Sequence, residues 1–333
     1  MSYKASEIIT TLTTQCPFPA VQHAIKSTRE KWLSNHEFEG ELLLYHYTNL
    51  KGLSGIIKKR AIRCTQFDYL NDPLELRYGK ELIIQKLKEL SGKETNKIIK
   101  EFIDNLINES KNLGQTVTHS IFIASFCDSP NLQNQWRGYA AKGCGYNIGI
   151  AFNSETKAWT DNVGEKEQRR IYLRKIIYKI DKQESIIKEY LTEVIESIRN
   201  SLMFLEKYPQ FEQETELSKV RLSIENLLVD IMVSLKNPVY AQENEWRLLR
   251  IIRWDQIPPI IKFRKNEDEF VLYVNTYLFD EKDDVKVFPL KEIRYGPMLN
   301  EYKTKKALDL FIKKNLLSPK TIKLRDDIDI KGK

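Results

Sequence analysis

An α+β fold built on a mixed central sheet is predicted by three observations on this 333-residue chain. Short apolar segments rich in β-branched and aromatic residues recur from residue 41 to the C-terminal end, as strands do. Amphipathic helical patterns stand among them. Two long helical patterns then interrupt the strand series between residues 183 and 236.

The first forty residues read as a helical lead-in, interrupted by Pro17 and Pro19, with a polar helix from about Val21 to Ser34. Residues 41–48 (ELLLYHYT) form a buried strand, and Asn49 caps a helix whose Leu50, Leu53, Ile56 and Ile57 share one face. A strand at 61–67 (AIRCTQF) runs into Asn71-Asp72-Pro73-Leu74-Glu75, where Asn71 or Asp72 caps, Pro73 takes the first turn and Glu75 completes a capping box. Two helices follow, one carrying Leu76, Ile83, Ile84 and Leu87, the other Ile98, Ile99, Phe102, Ile103 and Leu106.

Residues 119–126 (HSIFIASF) read as an interior strand, 131–141 as a short helix, and 146–152 (YNIGIAF) as another strand after Gly143 and Gly145. A polar loop is expected at 153–170 and a strand at 174–180. After the two long helices, strands resume at 245–253, 269–275 and 286–296, and a helix near 300–314 leads to a terminal strand, TIKLR. The domain reading is a lead-in at 1–40 and one α+β domain at 41–333, with an inserted helical hairpin at about 183–236.

Composition narrows the function classes. With 41% hydrophobic and 30% charged residues the chain is globular, and thirteen Gly with eleven Pro are too few for a collagen-like or low-complexity protein. No apolar run reaches the roughly 18 residues of a spanning helix, and the first twenty residues lack a secretory core, so a cytoplasmic protein without a membrane partner is expected. Lys and Arg number 53 against 46 Asp and Glu, a net charge of +7 that suits a polyanionic partner without demanding one. Cys16, Cys64, Cys127 and Cys144 lack zinc-knuckle spacing and read as reduced core thiols.

Four clusters combine polar or aromatic groups with strand ends, where sites are built on rigid scaffolds. Tyr45-His46-Tyr47-Thr48 embeds an imidazole in an apolar strand, which requires a hydrogen-bond partner or a cavity. Capping accounts for most of Asn71 to Glu75. Gln135-Trp136-Arg137-Gly138-Tyr139 with Gly143-Cys144-Gly145 places Trp136 and Tyr139 on one helix face, and suits either core packing or a nucleotide's ring and phosphate. In Glu243-Asn244-Glu245-Trp246-Arg247, alternation puts Glu243, Glu245 and Arg247 on one side of a strand, either a solvated edge or a cleft. No Walker loop, dinucleotide fingerprint, HExxH or GxSxG motif is present. His46 and His119 lack metal-ligand spacing, and no metal is expected.

The segments LYHYTNLKGLSGIIKKRAIRCTQFDYLNDPLE, IFIASFCDSPNLQNQWRGYAAKGCGYNIGIAF, YAQENEWRLL and IRYGP, taken in order, resemble the bacterial domain-of-unknown-function family 2971, which contains abortive-infection proteins of the AbiGi type. The resemblance runs from about residue 42 to 297 and names no substrate. The opening His strand and the late Glu strand are also similar to the His-Tyr-Glu layout of ADP-ribosyltransferases. That second resemblance implies an ADP-ribosyltransferase-like sheet and NAD as substrate. His46 and Thr48, with Tyr47 and Asn71 beside them, would hold the adenosine ribose. An aromatic such as Tyr69 or Tyr139 would stack on nicotinamide, Trp136 would line the cofactor site, and Arg137 or Arg247 would clamp the diphosphate. Glu245, or Glu243 in competition with it, would offset positive charge at the nicotinamide ribose, and His46 would complete the catalytic set.

The expectation is an NAD-using effector or toxin of anti-phage defence that modifies a protein or nucleic acid and is restrained by a defence partner or antitoxin. The alternative is a non-catalytic module binding a nucleotide, nucleic acid or partner protein. A metal-dependent nuclease is a further class, without the carboxylate run it needs.

Overall fold

The computed structural model describes residues 17–35, 40–70, 75–113, 120–153, 156–160, 172–205, 210–252, 260–266, 269–282, 285–315 and 322–325. Its helices are α1 (Pro17–Asn35), α2 (Leu50–Lys59), α3 (Glu75–Lys93), α4 (Lys97–Ser110), α5 (Gln133–Gly138), α6 (Ile180–Leu205), α7 (Gln210–Met232) and α8 (Glu301–Asn315). The strands are β1 (Leu42–Thr48), β2 (Ala61–Gln66), β3 (Ser120–Cys127), β4 (Tyr146–Phe152), β5 (Lys157–Thr160), β6 (Tyr172–Lys175), β7 (Glu245–Ile252), β8 (Lys262–Asn266), β9 (Glu269–Lys282), β10 (Val285–Val287), β11 (Leu290–Tyr295) and β12 (Lys323–Arg325). The fold class is α+β.

The chain divides into two compact units. One gathers Met1–Glu37, Leu74–Thr116 and Ile177–Pro238, and the other Phe38–Pro73, Val117–Ile176 and Val239–Lys333. The first unit holds α1, α3, α4, α6 and α7. The two long helices expected between 183 and 236 are present, and in this unit they group with three further helices. Trp32 of α1 is fully buried and meets Tyr190 edge to face at 5.4 Å. Gln183 donates to the carbonyls of Ile177 and Lys236 at 2.6 and 2.8 Å and accepts from the Tyr78 hydroxyl at 2.7 Å, so one buried amide is satisfied on both sides.

The second unit carries all described strands in a 12-stranded sheet whose main path runs β10-β9-β2-β3-β1-β4-β11-β12, with β7 on the other edge of β3. Pairing is antiparallel except for β11 with β12, which makes the sheet mixed. One face is apolar: Leu44, Cys64, Phe122, Phe126, Ile148, Ile150, Leu248 and Val274 pack there with Leu53, Ile56 and Ile57 of α2 and Leu308 and Ile312 of α8. Each fully buried side chain of this kind contributes about 1.5–3 kcal/mol relative to exposure. Asn49 accepts from the Gly52 N–H at 2.9 Å and starts α2, as the sequence predicts, and Arg60 ends it in the left-handed region at φ 52°.

Some expectations are corrected. The loop expected at 153–170 contains β5, because residues 157–160 pair with the long strand β9. The strand expected at 174–180 is β6 at 172–175; Ile176 still bonds to the Glu245 carbonyl at 3.0 Å, and Ile180 already opens α6. Strand β8 was not expected, since KFRKN has no apolar alternation and forms through its antiparallel pairing with β9. The proposed caps at Asn71 to Pro73 lie outside the described residues.

Candidate functional site

Strand β3 is shared by three neighbours. Along one edge every residue from Ser120 to Cys127 pairs with β7. Along the other, Ile123 and Phe122 pair with Thr65 and Gln66 of β2, whereas Cys127 pairs with Tyr45 of β1. The register therefore leaves Ala124 to Phe126 at a fork where β1 and β2 part. His46 closes that fork: its Nδ1 lies 2.9 Å from the Ser125 carbonyl and donates to it, and its ring leans on Phe126 at 5.5 Å. Nε2 is then the unprotonated nitrogen. Burial lowers the imidazole pKa although part of the residue still meets solvent.

Strand parity decides what shares a face. Tyr45 pairs with Cys127 and Cys127 with Glu245, so these three point to one side, with Tyr47, Ser125 and Arg247. His46, Phe126 and Trp246 point to the other. The imidazole and the Glu245 carboxylate, which the sequence reading set around one ribose, lie on opposite faces of the sheet.

The face that holds Glu245 is unusually polar. Arg247, 0% exposed, donates from Nε and Nη2 to the two Glu245 oxygens at 3.1 and 3.2 Å, a bidentate pair across one pleat. In β11, Arg294 donates to Glu292 at 2.9 Å, and both are buried. Tyr45 shares a hydrogen bond with Glu292, and burial followed by that carboxylate's charge raises the phenol pKa. Arg174 of β6 stands in register with Arg247 and is buried. Arg63 of β2 lies over the Tyr273 ring at 5.1 Å. Beyond it Arg264 of β8 has its pKa lowered by desolvation and then by the charge of Arg63. The central strands thus present Arg63, Arg174, Arg247 and Arg294 against Glu245 and Glu292. In their midst, Ser125 of the interior strand β3 is exposed, so solvent reaches this face beside Arg247.

One border of the site is a locked turn. Tyr47 donates to the Ser129 carbonyl at 3.0 Å and accepts from the Leu132 N–H at 3.1 Å, and burial raises its pKa well above the ordinary phenol range. Trp136 Nε1 and Asn147 Nδ2 both donate to the Pro130 carbonyl, at 3.1 and 3.2 Å, and Trp136 meets Tyr47 edge to face at 5.2 Å. Next to it Ala141 and Lys142 adopt φ of 48° and 53° and Gly143 of 88°. The turn is pinned where the Gly296 N–H bonds the Gly145 carbonyl at 2.9 Å, and a Cβ on Gly296 would collide with the Gly143 carbonyl oxygen.

The remaining sequence candidates fall apart from one another. Thr48 is half-buried, with its hydroxyl over the first turn of α2. Tyr69 is exposed in a short 3-10 turn at 67–69, and Asn71 lies outside the described residues. Trp136 is buried whereas Arg137 and Tyr139 are exposed, Tyr139 standing at the C-cap of α5 with its N–H on the Gln135 carbonyl. Glu243 closes a 3-10 segment at 238–243, and Asn244 at φ 44° turns the chain before β7 begins, so Glu243 is not on the strand with Glu245 and Arg247. Cys64 and Cys127 are buried as expected, but Cys144 is exposed on the glycine turn. Burial pushes the Cys64 thiol up to about 11. Among the described residues no three His, Cys, Asp or Glu side chains gather as a metal site would require.

Ser125, Asn147, Arg174, Glu292, Arg294 and Arg63 were missed by sequence reasoning. One signal was available: Glu292-x-Arg294 repeats the Glu245-x-Arg247 spacing.

Residues 135–248 match the family described as Protein of unknown function (DUF2971). The matched segment carries Trp136, Asn147, Arg174, Glu245 and Arg247. No curated protein and no solved structure matches the chain. Among the described residues no helix is long and apolar enough to cross a membrane.

Proposed function

Because this chain carries the DUF2971 signature across residues 135–248, the segment that supplies Arg174 and Arg247, we propose that its sheet unit binds a phosphate-bearing nucleotide on the face of Tyr45, Ser125 and Arg247. The observation that carries this reading is the exposed Ser125 hydroxyl in an interior strand, on a face where guanidinium groups outnumber carboxylates. A phosphate at Ser125 accepts from the hydroxyl and gains the field of nearby guanidiniums in a partly desolvated setting, where charge-assisted hydrogen bonds are strongest. Tyr45, Tyr47 and Tyr273 project from the same face of the sheet.

Isothermal titration of the purified protein with ADP and with NAD tests it. Ser125→Glu sets a carboxylate at an exposed position, so the fold is retained while phosphate is repelled. Binding weakened about tenfold or more, with a steep salt dependence, supports the reading. Equal affinity of wild type and variant, or no binding at all, overturns it.

A second reading keeps ADP-ribosyl transfer, favoured by Glu245 sharing a face with Tyr45 and Tyr47 and being held in place by Nε and Nη2 of Arg247. In it Glu245 binds the ribose hydroxyl and offsets oxocarbenium charge as the nicotinamide bond breaks, and an acceptor nucleophile takes the ribosyl carbon. His46 is then a support of the strand fork. Labelled NAD incubated with cell extract separates the two readings: transfer or nicotinamide release that Glu245→Gln abolishes favours the enzyme, and bound but intact NAD favours the module. A role in abortive infection rests on the family likeness, and is tested by phage survival in cells carrying wild type or Ser125→Glu.

A further inference from the structure

The hairpin of β8 and β9 leaves two phenyl rings in water. Phe263 is 54% and Phe270 61% exposed, and the rings meet edge to face at 6.4 Å. Register explains the contact. Phe263 pairs with Leu272 and Lys265 with Phe270, so the two rings are diagonal neighbours on one side, with Lys265 on the same side. The other side of β8 carries Lys262 and Arg264, with Glu269 as its facing carboxylate at the start of β9. Among the described residues β8 pairs only with β9, so this is an open edge.

A diagonal phenyl pair steadies a hairpin by only about 0.2–1 kcal/mol, which leaves most of this apolar surface without a function in folding. Its chemistry is that of a stacking platform: π faces open to solvent, cations on both sides of the same strand, and a chain with a net charge of +7. We propose that the β8–β9 hairpin binds single-stranded nucleic acid, its bases stacking on Phe263 and Phe270 and its phosphates pairing with Lys265, which projects on the side of the rings. Every base has a π face, so binding is tolerant of sequence. A double helix hides its bases and gains nothing from the rings. This site is separate from the nucleotide face around Ser125 and does not depend on it.

Fluorescence anisotropy with labelled fifteen-nucleotide oligo-dT and oligo-U, and with a duplex of equal length, tests the proposal; the first two arms distinguish DNA from RNA as the source. The full-length protein is expected to bind at least one single strand more tightly than the duplex. Phe263→Ala with Phe270→Ala lowers that affinity about tenfold or more, as expected for the loss of base stacking. Lys265→Glu keeps both rings, covers the case in which the double variant melts early, and lowers affinity and the salt slope together. Ser125→Glu leaves oligonucleotide binding in place, which separates failure here from failure of the nucleotide site. Equal binding by wild type and both variants, or no binding by wild type, overturns the proposal. So does a wild-type dimer in sedimentation that the double phenylalanine variant dissociates, since the rings would then serve contact between copies of the chain.

Discussion

Gly149 sits opposite Tyr45 and Glu292 in the sheet, where a Cβ would come within 2.8 Å of Glu292 Cγ and 3.2 Å of the Tyr45 ring. Both neighbours are held, Glu292 by Arg294 and Tyr45 by Glu292, so neither can yield freely. Gly149→Ala is expected to cost about 1–3 kcal/mol by overpacking, read as a lowered thermal midpoint. His46 gives a second outcome. Its folded pKa lies below the ordinary 6.5, so as pH falls through that value the unfolded chain takes the proton first. Its contribution is complete above pH 6.5 and is lost as pH falls toward the folded pKa. His46→Asn, which can still donate to Ser125, should flatten the fall in melting temperature between pH 7 and 5; an identical fall in both proteins would remove the imidazole as its cause. That His46 needed a partner was legible, because an imidazole in an apolar strand must be satisfied. That it faces away from Glu245 was not, since parity across strands depends on a register set by distant segments.

Local chemistry marked the elements well where a cap or an apolar alternation was present. Asn49 is one such signal, and Asn49→Ala is expected to destabilise the protein by about 0.5–2 kcal/mol in denaturant unfolding, because the Gly52 N–H loses its acceptor at the start of α2. The strands at 41–48, 61–67 and 146–152 were equally legible. Strands β5 and β8 were not, for they take their form from pairing with β9, which runs to Lys282 where the sequence showed apolar alternation only to about residue 275. Glu243 shows the converse error. Alternation was read through a left-handed Asn244 that ends the 3-10 segment, and periodicity cannot signal a break of that kind.

Across the whole molecule, the polar sheet face was the feature hardest to foresee, because Arg63, Arg174, Arg247 and Arg294 come from four strands spread over more than two hundred positions of sequence. β3 joins β2 to β7, which carries β6 in turn, and Arg294 enters the same sheet through β1, β4 and β11. Native-state hydrogen exchange should therefore find the slowest amides of the sheet unit in β3 from Ile121 to Ile123, with the fork from Ala124 to Phe126 faster. Uniform protection along the strand would contradict the fork. The division into units has an outcome in time as well as in space. When Pro238 has been added by the ribosome, every described helix of the first unit has been synthesised, but the sheet still lacks β7 to β12 and one whole edge of β3 is bare. A nascent chain paused there exposes the largely aromatic core face of β3 and β4, surface that a chaperone would shield.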